Sequence, residues 1–339
     1  MSSIAGNQNN KSKYTVSYDI NLPYAGLTDE TENTTKYPDY MPIWEDVFFS
    51  PLPPFEYHDP ALRVTDPTLP NLLSSSVTLK HIQPSLGTIV SGLQLTDLSD
   101  VQKDELAYLV SQRKILAFPG QDLMDAGPAA QQAFMDYFGK RNYQPISGSV
   151  RGYPGFHIIH RDGNAEEIKR FLDAKTTTTL WHQDVSYEIQ PPGYVMLGLL
   201  QGPEVGGDTV FAATDTAYKR LSPAVQSFLD KLDVVHTSAK MIEHARAAGG
   251  LVRKDAVETV HPLVRVHPVT GEKCIFLNGE FVTGIVGLKE PERRMLMDFL
   301  LEHMVSGHDF QARVSWEPGT IVMFDNRSCI REFSSLLFV

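Results

Sequence analysis

Apolar and polar residues follow different rules in successive stretches of this 339-residue chain. From Met1 to about Asn71, Asn, Thr, Pro, Asp and Tyr crowd together without a sustained period, as expected of an extended arm. Pro42-Ile43-Trp44 and Phe48-Phe49 break that polarity. They are expected to anchor the arm on the main domain, or on a second subunit of a homo-oligomer, and not to form a binding motif. The organisation read from the pattern is an arm over residues 1–71 and one domain over 72–339.

Within the domain, Gly87-Thr88-Ile89-Val90 predicts a strand. Ser99 is a helix N-cap, and the helix it opens runs toward Arg113 with Val101, Leu106, Leu109 and Val110 on one face. Lys114 to Phe118 predicts a buried strand. Ala129 to about Phe138 predicts a second helix, whose Phe134 and Phe138 recur at helical spacing as core residues.

Beyond Tyr194 the period shortens. Apolar runs at Val195–Leu200, Thr209–Ala212, Leu263–Val266, Cys274–Leu277 and Thr320–Phe324 are separated by Gly and Pro turns. Helices are expected after Ser222-Pro223 and from Pro291, where Pro suits a first turn. The second should carry Met295, Leu296, Phe299, Leu300 and Met304 on an inward stripe. Met241 to Thr259, rich in Ala, Gly and charge, is expected to be a lid or a plain surface excursion. The fold class is mainly β with flanking α-helices, a β-sandwich or jelly roll.

Composition narrows the function classes. At 42% hydrophobic residues the chain can bury a substantial core. A net charge of −11 without a basic stripe argues against a protein that grips nucleic acid by its phosphates. No run of about 18 apolar residues offers a membrane span, and the N-terminus lacks the apolar heart of a signal peptide. Cys274 and Cys329 stand far apart, which excludes a disulfide framework or zinc ribbon and suits a reducing, cytoplasmic setting.

The chemistry starts at Trp181-His182-Gln183-Asp184-Val185-Ser186-Tyr187. A His and an Asp separated by one residue on an extended strand project to the same side, so an imidazole nitrogen and a carboxylate oxygen can meet one small cation. That makes two corners of a facial triad, the arrangement that leaves positions on ferrous iron open for a co-substrate and dioxygen. The third ligand must be a His from a distant strand. Alone the motif is weak, since 11 His yield roughly 0.7 such pairs by chance. His160-Arg161-Asp162 repeats the spacing and mimics a kinase catalytic loop, but Glu167 stands where that loop needs Asn.

Five blocks together say more. Besides Trp181–Tyr187 they are Pro203-Glu204-Val205-Gly206-Gly207-Asp208-Thr209, His261-Pro262-Leu263-Val264-Arg265-Val266-His267-Pro268, Trp316-Glu317-Pro318-Gly319 and Asp325-Asn326-Arg327. In this order the tract from about Leu86 to Arg327 resembles the taurine dioxygenase (TauD/TfdA) family of iron- and 2-oxoglutarate-dependent oxygenases, particularly its fungal sulfonate dioxygenase-like members.

The resemblance implies a double-stranded β-helix (jelly roll) over 72–339, with His182 and Asp184 as iron ligands and catalytic residues. Thr209 matches the hydroxyl that hydrogen-bonds a carboxylate of 2-oxoglutarate. Gln144 and Val185 fall in the substrate pocket. Fe(II) is the implied metal, 2-oxoglutarate and dioxygen the co-substrates, and a small anion such as an alkyl sulfonate the substrate. His261 and His267 belong to a structural block and are left out of the metal site.

Two departures stand out. Gln144 occupies the place, ahead of a Pro, where taurine-type members hold the sulfonate with a His; Gln can donate a hydrogen bond but cannot become a cation. The family's distal iron-binding His falls six residues past Asp325, at Arg331, a fixed cation without a free lone pair. Relatives continue through a further strand bearing the Arg that grips the far carboxylate of 2-oxoglutarate, whereas only eight residues follow Arg331. The pattern is that of a C-terminus truncated or mis-spliced, with the last barrel strand and the distal ligand missing.

The expected function is therefore Fe(II)- and 2-oxoglutarate-dependent hydroxylation of a small anion, with weak iron binding and little turnover in this form. Two rivals stand beside it: a catalytically dead metabolite-binding or regulatory paralogue, and a cupin-type iron enzyme that would recruit His267.

Overall fold

The computed structural model describes residues 36–159, 181–247 and 250–333. His160-Arg161-Asp162 lies outside the described residues. The chain divides into two compact units, the larger comprising residues 52–142, 177–237 and 258–339, the smaller 1–51, 143–176 and 238–257.

In the larger unit the strands are β1 (Thr78–His81), β2 (Thr88–Ser91), β3 (Ile115–Phe118), β4 (Tyr194–Gly198), β5 (Thr209–Ala213), β6 (Asp233–Thr237), β7 (Glu258–Pro262), β8 (Val264–Val266), β9 (Lys273–Ile275), β10 (Val282–Ile285), β11 (Gln311–Val314), β12 (Ile321–Asp325) and β13 (Cys329–Phe333). They form sheets ordered β1-β2-β3-β12-β4, β10-β6-β7, β11-β5-β13 and β8-β9. The unit's helices are α1 (Asp100–Arg113), α2 (Pro128–Asp136), α3 (Thr214–Arg220), α4 (Pro223–Leu229) and, for the order of the chain, α6 (Glu290–Ser306), with α5 (Ala239–Ala247) in the smaller unit. Every strand expected from an apolar run is present, with ends shifted by at most two residues.

Strand β12 explains why those runs do not alternate. All five of its residues are buried, because its two faces feed two cores. Val322 and Phe324 pack with Phe211 and Ile115, whereas Ile321 and Met323 pack with Leu106, Leu109 and Val110 of α1. A strand covered on both sides reads as a continuous apolar run. Its C-terminal residue, Asp325, is thereby carried into the interior.

Helix α1 opens with the expected Ser99 cap. The amide of Gln102 donates to Ser99 Oγ and the amide of Ser99 to Gln102 Oε1, a reciprocal box. Val101, in its first turn, is exposed and does not join the apolar face. The stripe on α6 also needs correction. Leu296, Leu300 and Met304 face inward together with Met297, but Met295 is 69% and Phe299 48% exposed. At 100° per residue Phe299 falls about 60° and Met295 about 100° outside the buried arc.

The smaller unit holds the arm's anchors. Ile43 and Trp44 are buried, with the Trp44 indole donating to the Ile146 carbonyl at 3.1 Å. Phe49 stacks on Tyr143 at 4.2 Å between centroids, while Phe48 is exposed and anchors nothing. The stretch from Met241 is no plain excursion either, because it continues helix α5 and then buries Arg253, Lys254 and Val257.

Candidate active site

The His182–Asp184 segment is held by buried amides rather than by a strand. His182 alone makes a ladder contact, an antiparallel bridge to Arg331 in which each amide donates to the other's carbonyl at 2.9 Å. Residues 184–187 then form a turn, which corrects the expectation of an extended strand. Gln183 is fully buried. Its Nε2 donates to the Asn326 carbonyl at 3.1 Å and its Oε1 accepts from the Leu277 amide at 3.1 Å. Asn326 Oδ1 accepts from the Asp184 amide at 2.7 Å, and its Nδ2 donates back to the Asp184 carbonyl at 3.0 Å. With Gln183 turned inward, His182 and Asp184 meet on the other side, Nε2 to Oδ1 at 3.2 Å.

Val185 follows Asp184 with φ 42° and is buried. A β-branched residue in the left-handed region carries backbone strain, on the order of 1–3 kcal/mol, and persists only where its surroundings impose it. Here the Asn326 clamp on one side and the hydrogen bond from the Glu188 amide to the Val185 carbonyl on the other do so.

The third corner is decided by register. Arg331 on β13 lies opposite Phe211 on β5, and Phe333 opposite Thr209. Directly opposed residues share a face of the sheet, so Arg331, Phe211 and Thr209 look the same way. The guanidinium lies 5.5 Å from the Phe324 ring centroid and donates to Asp184 Oδ1 twice, from Nε at 3.1 Å and from a terminal nitrogen at 2.6 Å. Burial alone would push the Asp184 carboxyl up, but Arg331 and then His182 hold it well below the usual carboxylate range.

Thr209 is buried at the start of β5, where its hydroxyl accepts from the Trp316 indole at 3.0 Å. The hydroxyl hydrogen is left to donate elsewhere. Gln144 is half-buried in the smaller unit.

A second polar core stands behind the site. Arg327 Nε and one terminal nitrogen donate to the two oxygens of Asp325 at 2.8 and 2.6 Å, and the other terminal nitrogen to Asp59 at 2.6 Å. Tyr194 donates its hydroxyl to Asp59 at 2.7 Å. His267 Nδ1 accepts from the amides of Val269 and Thr270, so its Nε2 carries the proton and donates to Asp325 at 2.9 Å. His267 is thus a fully buried partner of Asp325, and the cupin-type rival loses its ligand. His261 Nε2 donates to the Glu188 carbonyl at 2.9 Å. His236, buried against Ser186, is pushed down to about 3 by burial and by its neighbours His261 and Arg265.

Sequence reading did not foresee the clamp made by Gln183 and Asn326, nor the Trp316–Thr209 bond. Their signal lay inside the matched blocks, whose polar residues turn out to be fastenings.

The family model "Taurine catabolism dioxygenase TauD, TfdA family" matches residues 78–330. The chain belongs to this family. It is 44% identical over 298 residues to an alpha-ketoglutarate-dependent sulfonate dioxygenase of Saccharomyces cerevisiae, across 86% of this chain and 72% of that one. An alpha-ketoglutarate-dependent dioxygenase of Penicillium expansum is 36% identical across 87% of this chain and 83% of its own length. The crystal structure of a taurine dioxygenase from Burkholderia xenovorans superposes with a TM-score of 0.60 at 26% identity, over 77% of this chain and 83% of that one. These relatives are named as enzymes and give no support to the non-catalytic rival.

The family implies a metal centre and the keto acid co-substrate, and the residues present can be tested against the metal. His182 and Asp184 supply an imidazole and a carboxylate on one side. Among the described residues no group of three His, Cys, Asp or Glu side chains is placed to hold a metal ion. The remaining position carries a guanidinium, which donates five N–H groups and offers no lone pair. Among the described residues, the donor set does not fit the family's three-point metal.

Proposed function

We propose that this chain is an Fe(II)- and 2-oxoglutarate-dependent oxygenase of the TauD/TfdA family directed at a small anion such as an alkyl sulfonate, with turnover held low in this form by Arg331. His182 and Asp184 are its ligand pair and catalytic residues, Thr209 its co-substrate hydroxyl and Val185 a substrate-pocket residue, and Gln144 is separately proposed to bind substrate. The reading is carried by the convergence of His182, Asp184 and residue 331 on one point, in a chain that shares 44% identity with a sulfonate dioxygenase.

The sheets favour a double-stranded β-helix over residues 72–339 behind an arm at 1–71. Two buried, unpaired cysteines suit the cytoplasm, and no described helix is long and apolar enough to cross a membrane. Gln144, neutral where a cationic His would be, favours a substrate bound by hydrogen bonds more than by charge. Acidic overall charge adds no affinity for nucleic acid.

The test is oxygen consumption with 2-oxoglutarate across a panel of alkyl sulfonates and carboxylates, for the chain and for Arg331→His. Consumption by Arg331→His that depends on a sulfonate and disappears when His182 is also replaced by Ala supports the reading. Consumption indifferent to His182, or to every small anion offered, contradicts it.

A further inference from the structure

The disagreement between the donor set and the family's metal has a structural content of its own. Arg331 is fixed from three directions. Its backbone is paired with Phe211 of β5 on one side and bridged to His182 on the other. Its guanidinium packs against Phe324 and binds Asp184. Register therefore sends this side chain to the face where His182 Nε2 and Asp184 Oδ1 stand 3.2 Å apart. A cation already meets that carboxylate oxygen, through two nitrogens at 3.1 and 2.6 Å. The pair is largely enclosed, with the Arg331 side chain 8% and that of Asp184 14% exposed, so a divalent ion entering beside the guanidinium would meet a like charge with little water to screen it.

We propose that Arg331 is a built-in cation that replaces the structural part of the divalent ion. It neutralises Asp184, holds the carboxylate in its ligating orientation and keeps the site closed, so that this chain folds and stays stable without metal. Residue 331 alone then decides whether the pair binds an ion, since the backbone bridge already presents that position across from His182. The inference rests on the reading of His182 and Asp184 as the ligand pair and goes beyond it, by assigning the third position an active role.

Cobalt(II) is the probe, because it reports coordination by visible absorption independently of turnover. The purified chain should show no saturable Co(II) absorption, and its melting temperature should be the same in excess Co(II) and in EDTA. Arg331→His should bind about one Co(II) per chain with a melting temperature that rises on loading. Its affinity should exceed that of the unaltered chain by more than the ~10–100-fold that changes around a ligand set produce. Adding His182→Ala to Arg331→His should abolish the absorption.

Saturable Co(II) absorption by the unaltered chain, lost on His182→Ala, would overturn the built-in cation while leaving the ligand pair standing. That measurement needs no folded variant at position 331. Absence of Co(II) binding by a folded Arg331→His chain would instead remove the ligand-pair reading, and this inference with it.

Discussion

Arg331 and Asp184 form an enclosed ion pair in which two guanidinium nitrogens converge on a single carboxylate oxygen. The two residues are 147 positions apart, so the contact ties β13 to the His182–Asp184 turn. Removing one member of such a pair leaves the other buried without compensation, typically at a cost of about 3–5 kcal/mol. Asp184→Ala should therefore lower the free energy of unfolding in urea by about 3 kcal/mol. A loss below about 0.5 kcal/mol would mean that the pair is open to water.

Asn326 should matter comparably, although it is no candidate ligand. Its side chain accepts from the Asp184 amide and donates to the carbonyls of Asp184 and Pro192. Asn326→Ala leaves buried backbone groups unsatisfied, each worth about 1–3 kcal/mol. The expected destabilisation is at least ~2 kcal/mol by urea unfolding. Asn326→Asp should do no better, since it keeps the acceptor but loses both donated bonds.

Acid should weaken the protein in two stages. His236, pushed down to about 3 by burial, stays neutral in the fold but takes up a proton below about 6.5 when unfolded. Its contribution is therefore fully present above about pH 6.5 and declines as pH falls, at up to about 1.4 kcal/mol per pH unit. His261, also lowered chiefly by burial, adds to the same window. Asp184 and Asp325, held below the usual carboxylate range by Arg331 and Arg327 against the cost of burial, give stability that is present above about 3.9 and lost below it. Urea midpoints measured from pH 7.5 to 4 should fall for the unaltered chain and fall less steeply for His236→Asn. Parallel profiles would sink the assignment to His236.

Thr209→Val separates fold from ligand. The change strands the Trp316 indole donor and should cost about 1–2 kcal/mol of stability. If the hydroxyl also serves the co-substrate, 2-oxoglutarate affinity in the Arg331→His background should drop several-fold by calorimetry. Unchanged affinity would leave Thr209 a strand residue alone.

Much of this was legible in the chain. The run Thr320–Phe324 announced a strand, and Ser99 announced a capped helix. The spacing of His182 and Asp184 pointed to two side chains that stand 3.2 Å apart, and counting six residues from Asp325 pointed to Arg331, which bridges His182. Met295 and Phe299 misled because apolar character alone does not say how wide an arc of helix the core covers. Asn326 and Gln183 could not be assigned because their partners lie 94 to 143 residues away, and local periodicity carries no information on such pairings. The guanidinium's own destination needed the register of β13 on β5.

His182 and Asp184 are proposed to form two-thirds of an iron site whose last position Arg331 fills. Anaerobic titration with Fe(II) and 2-oxoglutarate, followed by visible absorption, tests it most directly. The unaltered chain should give no stoichiometric charge-transfer band, and Arg331→His should give a band that His182→Ala removes. A strong stoichiometric band from the unaltered chain would contradict it.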